Sequence, residues 1–412
     1  MRLVYFLSIL FYTWIIRAVS PFNHKAKLWI TGRKDWRNKL KNQIKPGEKW
    51  IWFHCASLGE FEQGRPVVEK IKERNPGLKI LLTFFSPSGY EVRKNYTGAD
   101  YVCYLPEDFP ANASFFVKTV KPEMVFFVKY EFWYFFISAL HKSRIPVYLI
   151  SAIFRPDQIF FRWYGAWYHK ILRKYTRIFV QDEASENLLK QSGVTNVIRA
   201  GDTRFDRVWQ IFQSKKEMDI ATQFVDNQFV VVAGSTWKPD EEMICHWINK
   251  AAPEFKLIIA PHLIDEEHIQ ELKSMLKVPT MRYSEAAHVQ PKDYKVLIID
   301  NIGMLSSLYQ YGQFAYVGGG FGVGLHNILE AAVYGIPVVF GPNYRKFSEA
   351  VQLIAQGGAY TVPDASTFEC AFRELSTNHQ ARTDAGKKAG LFVQEHIGAI
   401  GVILENVKTE LF

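Results

Sequence analysis

The hydrophobic positions of this chain fall into short, nearly continuous apolar runs separated by stretches of helical spacing. The runs at 50–53, 79–84, 124–128, 146–150, 178–180 and 197–200 belong to the first half. Those at 229–233, 256–260, 295–299, 314–317 and 337–340 belong to the second. Runs that do not alternate apolar with polar predict strands buried on both faces, and strands alternating with helices predict a parallel sheet covered on each side. Residues 61–74 have helical spacing and are closed by Asn75-Pro76-Gly77. A polar stretch at 213–227 interrupts the series. The pattern predicts an α/β protein of two doubly wound, Rossmann-like domains, 49–205 and 228–412, with a linker at 206–227. Two such domains facing each other leave a cleft, and sheets of this kind bind ligands at the carboxyl ends of their strands.

The first residues follow a different pattern. Positions 4–16 are apolar except for Ser8 and Thr13, and Arg17 ends the run. The run is short for a spanning helix, which needs about 20 residues. Ala18-Val19-Ser20 resembles a signal-peptidase site. The charges argue against cleavage: Arg17, Lys25, Lys27, Arg33, Lys34, Arg37, Lys39 and Lys41 all follow the run. Basic residues stay on the cytoplasmic side. Residues 1–20 are therefore read as a membrane anchor, spanning or interfacial, and 21–48 as a basic juxtamembrane segment. The body is expected on the cytoplasmic face.

Composition narrows the classes of function. Hydrophobic residues make up 48% and charged residues 22% of the 412, which excludes disordered and collagen-like chains. Lys and Arg outnumber Asp and Glu, for a net charge of +9. That surplus favours anionic partners: nucleic acid, phosphorylated substrates or an acidic membrane. The four cysteines, 55, 103, 245 and 370, form no C-x-x-C pair, so neither a zinc knuckle nor a disulfide scaffold is expected.

Several strand ends carry candidate chemistry. Ser57-Leu58-Gly59-Glu60 follows the first strand, and its spacing fits a capping box as well as a carboxylate facing the cleft. Ser86-Pro87-Ser88-Gly89 opens a helix after the second strand, as an ordinary N-cap or an anion site. Lys129-Tyr130-Glu131-Phe132-Trp133 puts a carboxylate in an aromatic run, either ion-paired or functional. Ser235-Thr236-Trp237-Lys238 and Gly341–Phe347 with Arg345 and Lys346 place hydroxyls and cations near an anionic donor. The richest stretch is 318–330: a strand runs into Gly318, Gly319, Gly320, Gly322 and Gly324, then a helix is expected to carry His326, Asn327 and Glu330 on one face. Such a loop brings backbone N–H groups to a phosphate, and the glutamate can accept from ribose hydroxyls. The alternative is a purely structural glycine turn. The aromatic and basic segment 154–177, with Arg155, Arg162, Lys170, Arg173, Lys174 and Arg177, suits a membrane surface or an ordinary amphipathic helix.

Taken in order, these segments resemble the 3-deoxy-D-manno-octulosonic acid (Kdo) transferases of lipopolysaccharide biosynthesis. The resemblance runs from the N-terminal anchor through Ser-x-Gly-Glu, Ser-Pro-Ser-Gly, Glu-x-Trp and Gly201–Asp206 to Gly-Ser-Thr, Ala-Pro-His and His-Asn-x-Leu-Glu. It implies a glycosyltransferase B-type fold and transfer of Kdo from CMP-Kdo to the 6-hydroxyl of a lipid A precursor, with inversion. It implies Glu60 as general base and Glu131 as a second functional carboxylate. It implies donor contacts from Ser235, Thr236, Lys238, Pro261, His262, Asn301, Ile302, Gly303, Gly320, His326, Asn327, Ile328, Leu329 and Glu330. No metal or other cofactor is expected, nor nucleic acid; the partners are CMP-Kdo, the lipid acceptor and the inner-membrane surface. The chain departs from the family at Ala260-Pro261-His262-Leu263, where an arginine is usual, at Lys346-Phe347, where Asn-Phe is usual, and at Gly324-Leu325-His326, where Gly-Gly-His is preferred. Two rival readings are a soluble nucleotide-sugar epimerase of the same fold and a non-enzymatic basic protein binding membranes or nucleic acid.

Overall fold

A computed structural model describes residues 1–322 and 324–407; Val323 of the glycine run and 408–412, the end of the expected second domain, lie outside the described residues. The chain forms two units, Met1–Asp206 with the segment that begins at Gly398, and Arg207–Ile397. Each holds one seven-stranded, all-parallel sheet.

The first sheet consists of β1 (Trp50–Cys55), β2 (Lys79–Phe84), β3 (Tyr101–Tyr104), β4 (Met124–Val128), β5 (Val147–Ala152), β6 (Arg177–Val180) and β7 (Val197–Arg199). Its order is β3-β2-β1-β4-β5-β6-β7. The second consists of β8 (Phe229–Thr236), β9 (Phe255–Pro261), β10 (Thr280–Arg282), β11 (Val296–Ile298), β12 (Phe314–Val317), β13 (Val338–Phe340) and β14 (Ala359–Thr361), in the order β10-β11-β9-β8-β12-β13-β14. The apolar runs arise because helices cover both faces. In β1, Trp50 and Trp52 join Phe116, Phe127 and Phe136 on one side, while Ile51, Phe53 and Cys55 join Phe61, Phe84 and Phe126 on the other. Each such side chain contributes about 1.5–3 kcal/mol by burial.

The structure departs from the sequence pattern in three places. The pattern passes over β3, β10 and β14, which are all edge strands. Residues 206–227 are not an open linker but carry parts of the helices Thr203–Gln213 and Asp219–Val225. The chain also returns to the first unit at its end: Ile400, Ile403 and Leu404 of the helix Ala399–Glu405 enter the core with Ile51 and Phe53. Asp206 fixes that return, because its carboxylate accepts from the Gly398 and Ala399 amides at 3.0 and 3.1 Å.

The N-terminal helix Arg2–Val19 is long and apolar enough to cross a membrane. One stripe of it is applied to the first unit. The Tyr5 hydroxyl donates to Asp108 at 2.7 Å, and Asp108 also accepts from the Phe135 and Phe136 amides at the start of the helix Tyr134–Lys142. Phe6 meets Phe109, and Tyr12 meets Trp29 and Phe85. Leu3, Val4, Leu7, Leu10, Phe11, Trp14 and Ile15 are exposed.

Candidate active site

Each sheet has a central switch point where the chain order turns about, between β1 and β4 in the first and between β8 and β12 in the second, and in the second β11 also sits inside β10. The loops at such a switch point splay apart, which leaves room for a ligand at the strands' carboxyl ends. Glu60, Glu131, residues 235–238 and the glycine run lie at the ends of the strands at these two points, while residues 86–89, His262 and residues 301–303 follow the neighbouring β2, β9 and β11.

In the first unit, Glu60 follows β1 and Glu131 follows β4. Ser57 is the N-cap of the helix Leu58–Arg74, and Glu60 at its third position turns back so that Oε2 accepts from the Ala56 and Ser57 amides at 2.5 and 3.2 Å. The carboxylate half of a capping box is thus present. Those two N–H bonds favour the ionised form, as does Lys129, but burial and then the Glu131 charge outweigh them and raise the Glu60 pKa to about 7. Glu60 is therefore both a cap and a poised proton acceptor. Its Oε1 has no hydrogen-bond partner among the described residues. Beyond its own turn of helix, no atom of the described residues lies within 4 Å of a Cβ built on Gly59, so the glycine before it is not demanded by internal packing.

Glu131 is buried. Its Oε2 accepts from the Trp133 indole N–H and lies 2.8 Å from His54 Nε2, and the Tyr175 hydroxyl donates to its backbone carbonyl at 2.6 Å. The Ser86-Pro87-Ser88-Gly89 turn comes to the same place. A Cβ on Gly89 would stand 2.3 Å from the buried Phe84 ring and 3.1 Å from the Ser57 carbonyl carbon, so glycine lets the helix Pro87–Arg93 approach this closely. Phe85 then packs on Trp133 at 4.8 Å. Lys129, at φ +71°, lies in the left-handed region, a backbone strain of about 1–3 kcal/mol that tends to cluster at functional sites.

In the second unit the chain leaves β8 through Ser235, at φ +53°. The Thr236 hydroxyl is committed to Glu241 at 3.0 Å. The Trp237 ring stacks on His262 at 4.5 Å, and His262 on His326 at 4.6 Å. The Trp237 indole N–H donates to His326 Nε2 at 3.0 Å, so the neutral ring carries its proton on Nδ1. Burial and the neighbouring His262 lower the His326 pKa to about 4, and the stack is uncharged at neutral pH. Pro261 is buried, whereas His262 and the Asn301-Ile302-Gly303 turn are exposed, with Ile302 at 88%. Lys238 is exposed and paired with Glu271 at 2.5 Å.

The glycine run differs from expectation. The helix it opens is only Leu329–Ala332, so His326, Asn327 and Ile328 precede it, and only Leu329 and Glu330 of the motif are helical. Gly324, at φ +113°, turns the chain, and the His326 amide returns to the Gly318 carbonyl. Asn327 acts as a cap: its Oδ1 accepts from the Leu329 amide, while its Nδ2 donates to Glu330 at 3.1 Å. Close packing explains three of the glycines. A Cβ on Gly318 would stand 2.3 Å from the Ser235 carbonyl oxygen, one on Gly319 2.3 Å from that of Gly324, and one on Gly320 2.7 Å from Gly341. The amides of Gly318, Gly319, Gly322 and Gly324 bond within the unit, that of Gly319 to the buried Asp240. Gly322 has open space around it. The loop 341–347 is held against the run by the Asn343 amide, which donates to Gly320 at 2.8 Å, and it carries Arg345 and Lys346.

The structure therefore joins Glu60 with Glu131, and Trp237 with His262 and His326. Sequence reasoning did not single out His54, Trp133, Trp237 and Asp240 as site residues. The available signals were a histidine inside an apolar strand and tryptophans whose N–H must find partners on burial.

Residues 34–207 match the family model described as 3-deoxy-D-manno-octulosonic-acid transferase (kdotransferase). The chain is 29% identical to the 3-deoxy-D-manno-octulosonic acid transferase of Aquifex aeolicus over 327 residues, 77% of this chain and 83% of that one. It is 25% identical to the protein of that name from Bordetella pertussis over 367 residues, 85% and 84% of the two chains. Among solved structures, the UDP-GlcNAc 2-epimerase of Neisseria meningitidis bound to UDP-GlcNAc superposes with a TM-score of 0.59 at 17% identity, covering 86% of this chain and 98% of that one, which speaks to the fold alone. The family model over the first unit and relatives matched across both units agree: the chain is a glycosyltransferase, similar over most of its length to the 3-deoxy-D-manno-octulosonic acid transferases.

Proposed function

We propose that this enzyme transfers Kdo from CMP-Kdo to the 6-hydroxyl of a lipid A precursor, with inversion, at the cytoplasmic face of the inner membrane. The observation that carries the reading is Glu60: a carboxyl with one unengaged oxygen and a pKa near 7, beside a second carboxylate at a switch point. An alcohol attacking an anomeric carbon must lose its proton as the bond forms, and a base whose pKa lies near the working pH accepts it most effectively. The CMP phosphate leaves already ionised, so no general acid is called for, and the reading needs no metal. Its charge would be met by Ser235, Arg345, Lys346 and the remaining N–H groups of the glycine loop. Glu330, aligned by Asn327, would accept from the ribose hydroxyls, and the uncharged stack of Trp237, His262 and His326 would offer an aromatic surface to the nucleotide.

The same reading gives the N-terminal helix an interfacial role. A helix pinned along one stripe by Tyr5, Phe6 and Tyr12 is held against a folded body, while its exposed stripe of Leu, Phe and Trp suits the boundary of a bilayer. Changing Leu7, Phe11 and Trp14 together to Ser should move the protein from the membrane to the soluble fraction with an unchanged melting temperature. Unaltered partitioning would remove this face from the anchor. The transfer is tested by incubation with CMP-Kdo and a lipid A precursor, followed by mass spectrometry. The wild type should add Kdo, and Glu60→Gln should be slower by about 10²–10⁴-fold with CMP affinity preserved. A Glu60→Gln variant of nearly full activity would remove Glu60 as the base.

A further inference from the structure

His54 is fully buried, sits inside β1 and has no part in the reaction as described so far. Its place follows from strand geometry. Side chains two apart on a strand share a face, so His54 lies on the same side of the sheet as Trp52. Parallel pairing sets it opposite Thr83 of β2 and Phe127 of β4. It stands in a chain of three hydrogen bonds. The Trp52 indole N–H donates to Thr83 Oγ1 at 2.7 Å, Thr83 Oγ1 lies 2.8 Å from His54 Nδ1, and His54 Nε2 lies 2.8 Å from Glu131 Oε2.

The direction of the chain is fixed by proton counting. An indole N–H can only donate, so it takes one lone pair of the Thr83 oxygen. The hydroxyl has a single proton and two acceptors in reach, His54 Nδ1 at 2.8 Å and the Phe53 carbonyl at 3.3 Å. The shorter bond wins. Nδ1 is then an acceptor, the imidazole proton is on Nε2, and that proton points at Glu131 Oε2. The Trp133 indole N–H converges on the same oxygen, which accounts for its 3.1 Å approach to Nε2. Two donors hold Oε2, and Oε1 has no hydrogen-bond partner among the described residues.

We infer that His54 is a positioning residue: locked by Thr83 and Trp52 as the Nε2–H tautomer, it clamps one oxygen of Glu131 and leaves the other oxygen oriented toward substrate. The inference rests on the reading of Glu131 as a carboxylate of the active site. Holding Glu131 at this point also keeps it beside Glu60, whose pKa is raised first by burial and then by Glu131.

The test has one arm that needs no substrate. In full-length protein labelled with ¹⁵N-histidine, the resonances lost in His54→Gln identify His54. They should show a bare Nδ1 and a protonated Nε2. Thr83→Val removes the hydroxyl that fixes the tautomer, and it should lower the transfer kcat by up to about 10²-fold while KM for the donor holds. Thr83→Ser keeps the hydroxyl and should restore both the tautomer signature and the rate. The serine variant also controls for instability from the unpaired Trp52 N–H. A proton on Nδ1, or on both nitrogens, in the wild type would overturn the inference, and so would a fully active Thr83→Val. The tautomer signature combined with a wild type that transfers no Kdo would instead count against the functional reading.

Discussion

At the ends of β1 and β4 the groups with chemistry are buried or half-buried and answered from within their own unit: Glu60 by two amides, Glu131 by Trp133 and His54, and His54 by Thr83. At the carboxyl ends of the second sheet's central strands the relation is reversed. There the backbone is tightly interlocked, with Gly318 against Ser235 and Gly320 against Gly341, while His262, Ile302 and Lys238 stand exposed. The first arrangement fixes a charge and a proton acceptor before any substrate arrives, which suits the part of a reaction where charge develops. The second fixes a frame and leaves its side chains to be completed by a ligand, which suits the binding of a nucleotide donor. The two units share a fold and a switch-point location, so the division of labour lies in what each buries.

The largest structural effect should come from the frame. Gly318→Ala and Gly320→Ala each place a methyl within 3 Å of backbone and should destabilise by about 3 kcal/mol, the upper end for overpacking. Gly322→Ala and Gly59→Ala, with nothing within 4 Å, should melt within about 0.5 kcal/mol of wild type. Thermal melting of the four variants checks the contrast. A stable Gly318→Ala would mean that its glycine serves a ligand rather than the frame.

A smaller effect concerns the half-buried carboxyl of Glu60. The folded-state pKa of Glu60, about 7, lies above the usual glutamate value. A group raised in this way contributes stability that is fully present below its unfolded pKa and is lost as pH rises through about 7. Gln accepts the same cap bonds without ionising. Glu60→Gln should therefore gain melting temperature relative to wild type between pH 5 and pH 8.5. A difference that does not change with pH would show that Glu60 titrates in its ordinary range.

The sheets and their order of elements were legible because two-sided burial writes continuous apolar runs. The strands passed over lie at sheet edges, where one side is half open: Tyr101 and Val102 in β3, Thr280 and Arg282 in β10, and Tyr360 and Thr361 in β14 are all partly exposed. Short edge strands leave no such run. The end of the second domain was illegible for another reason. The apolar face of Ala399–Glu405 would look the same against either core, and only Asp206, capping it from 192 residues away, assigns it to the first. In the candidate site, Ser57 and Glu60 announced a cap but not its high titration, because that depends on burial in the folded unit and then on Glu131 arriving after β4. Asn327 misled as a helix-face residue, although asparagine is favoured at caps and disfavoured inside helices. His54 was visible as a letter in an apolar strand, but its partners come from two other strands.

The central claim is that burial and Glu131 tune Glu60 to act as the base. The most direct test is the pH dependence of kcat/KM for Kdo transfer. The base acts only when ionised, so the rate should rise with pH, reach half its plateau near pH 7, and show no such limb in the residual activity of Glu60→Gln. A profile already at plateau by pH 5.5, or the same limb in Glu60→Gln, would contradict the claim.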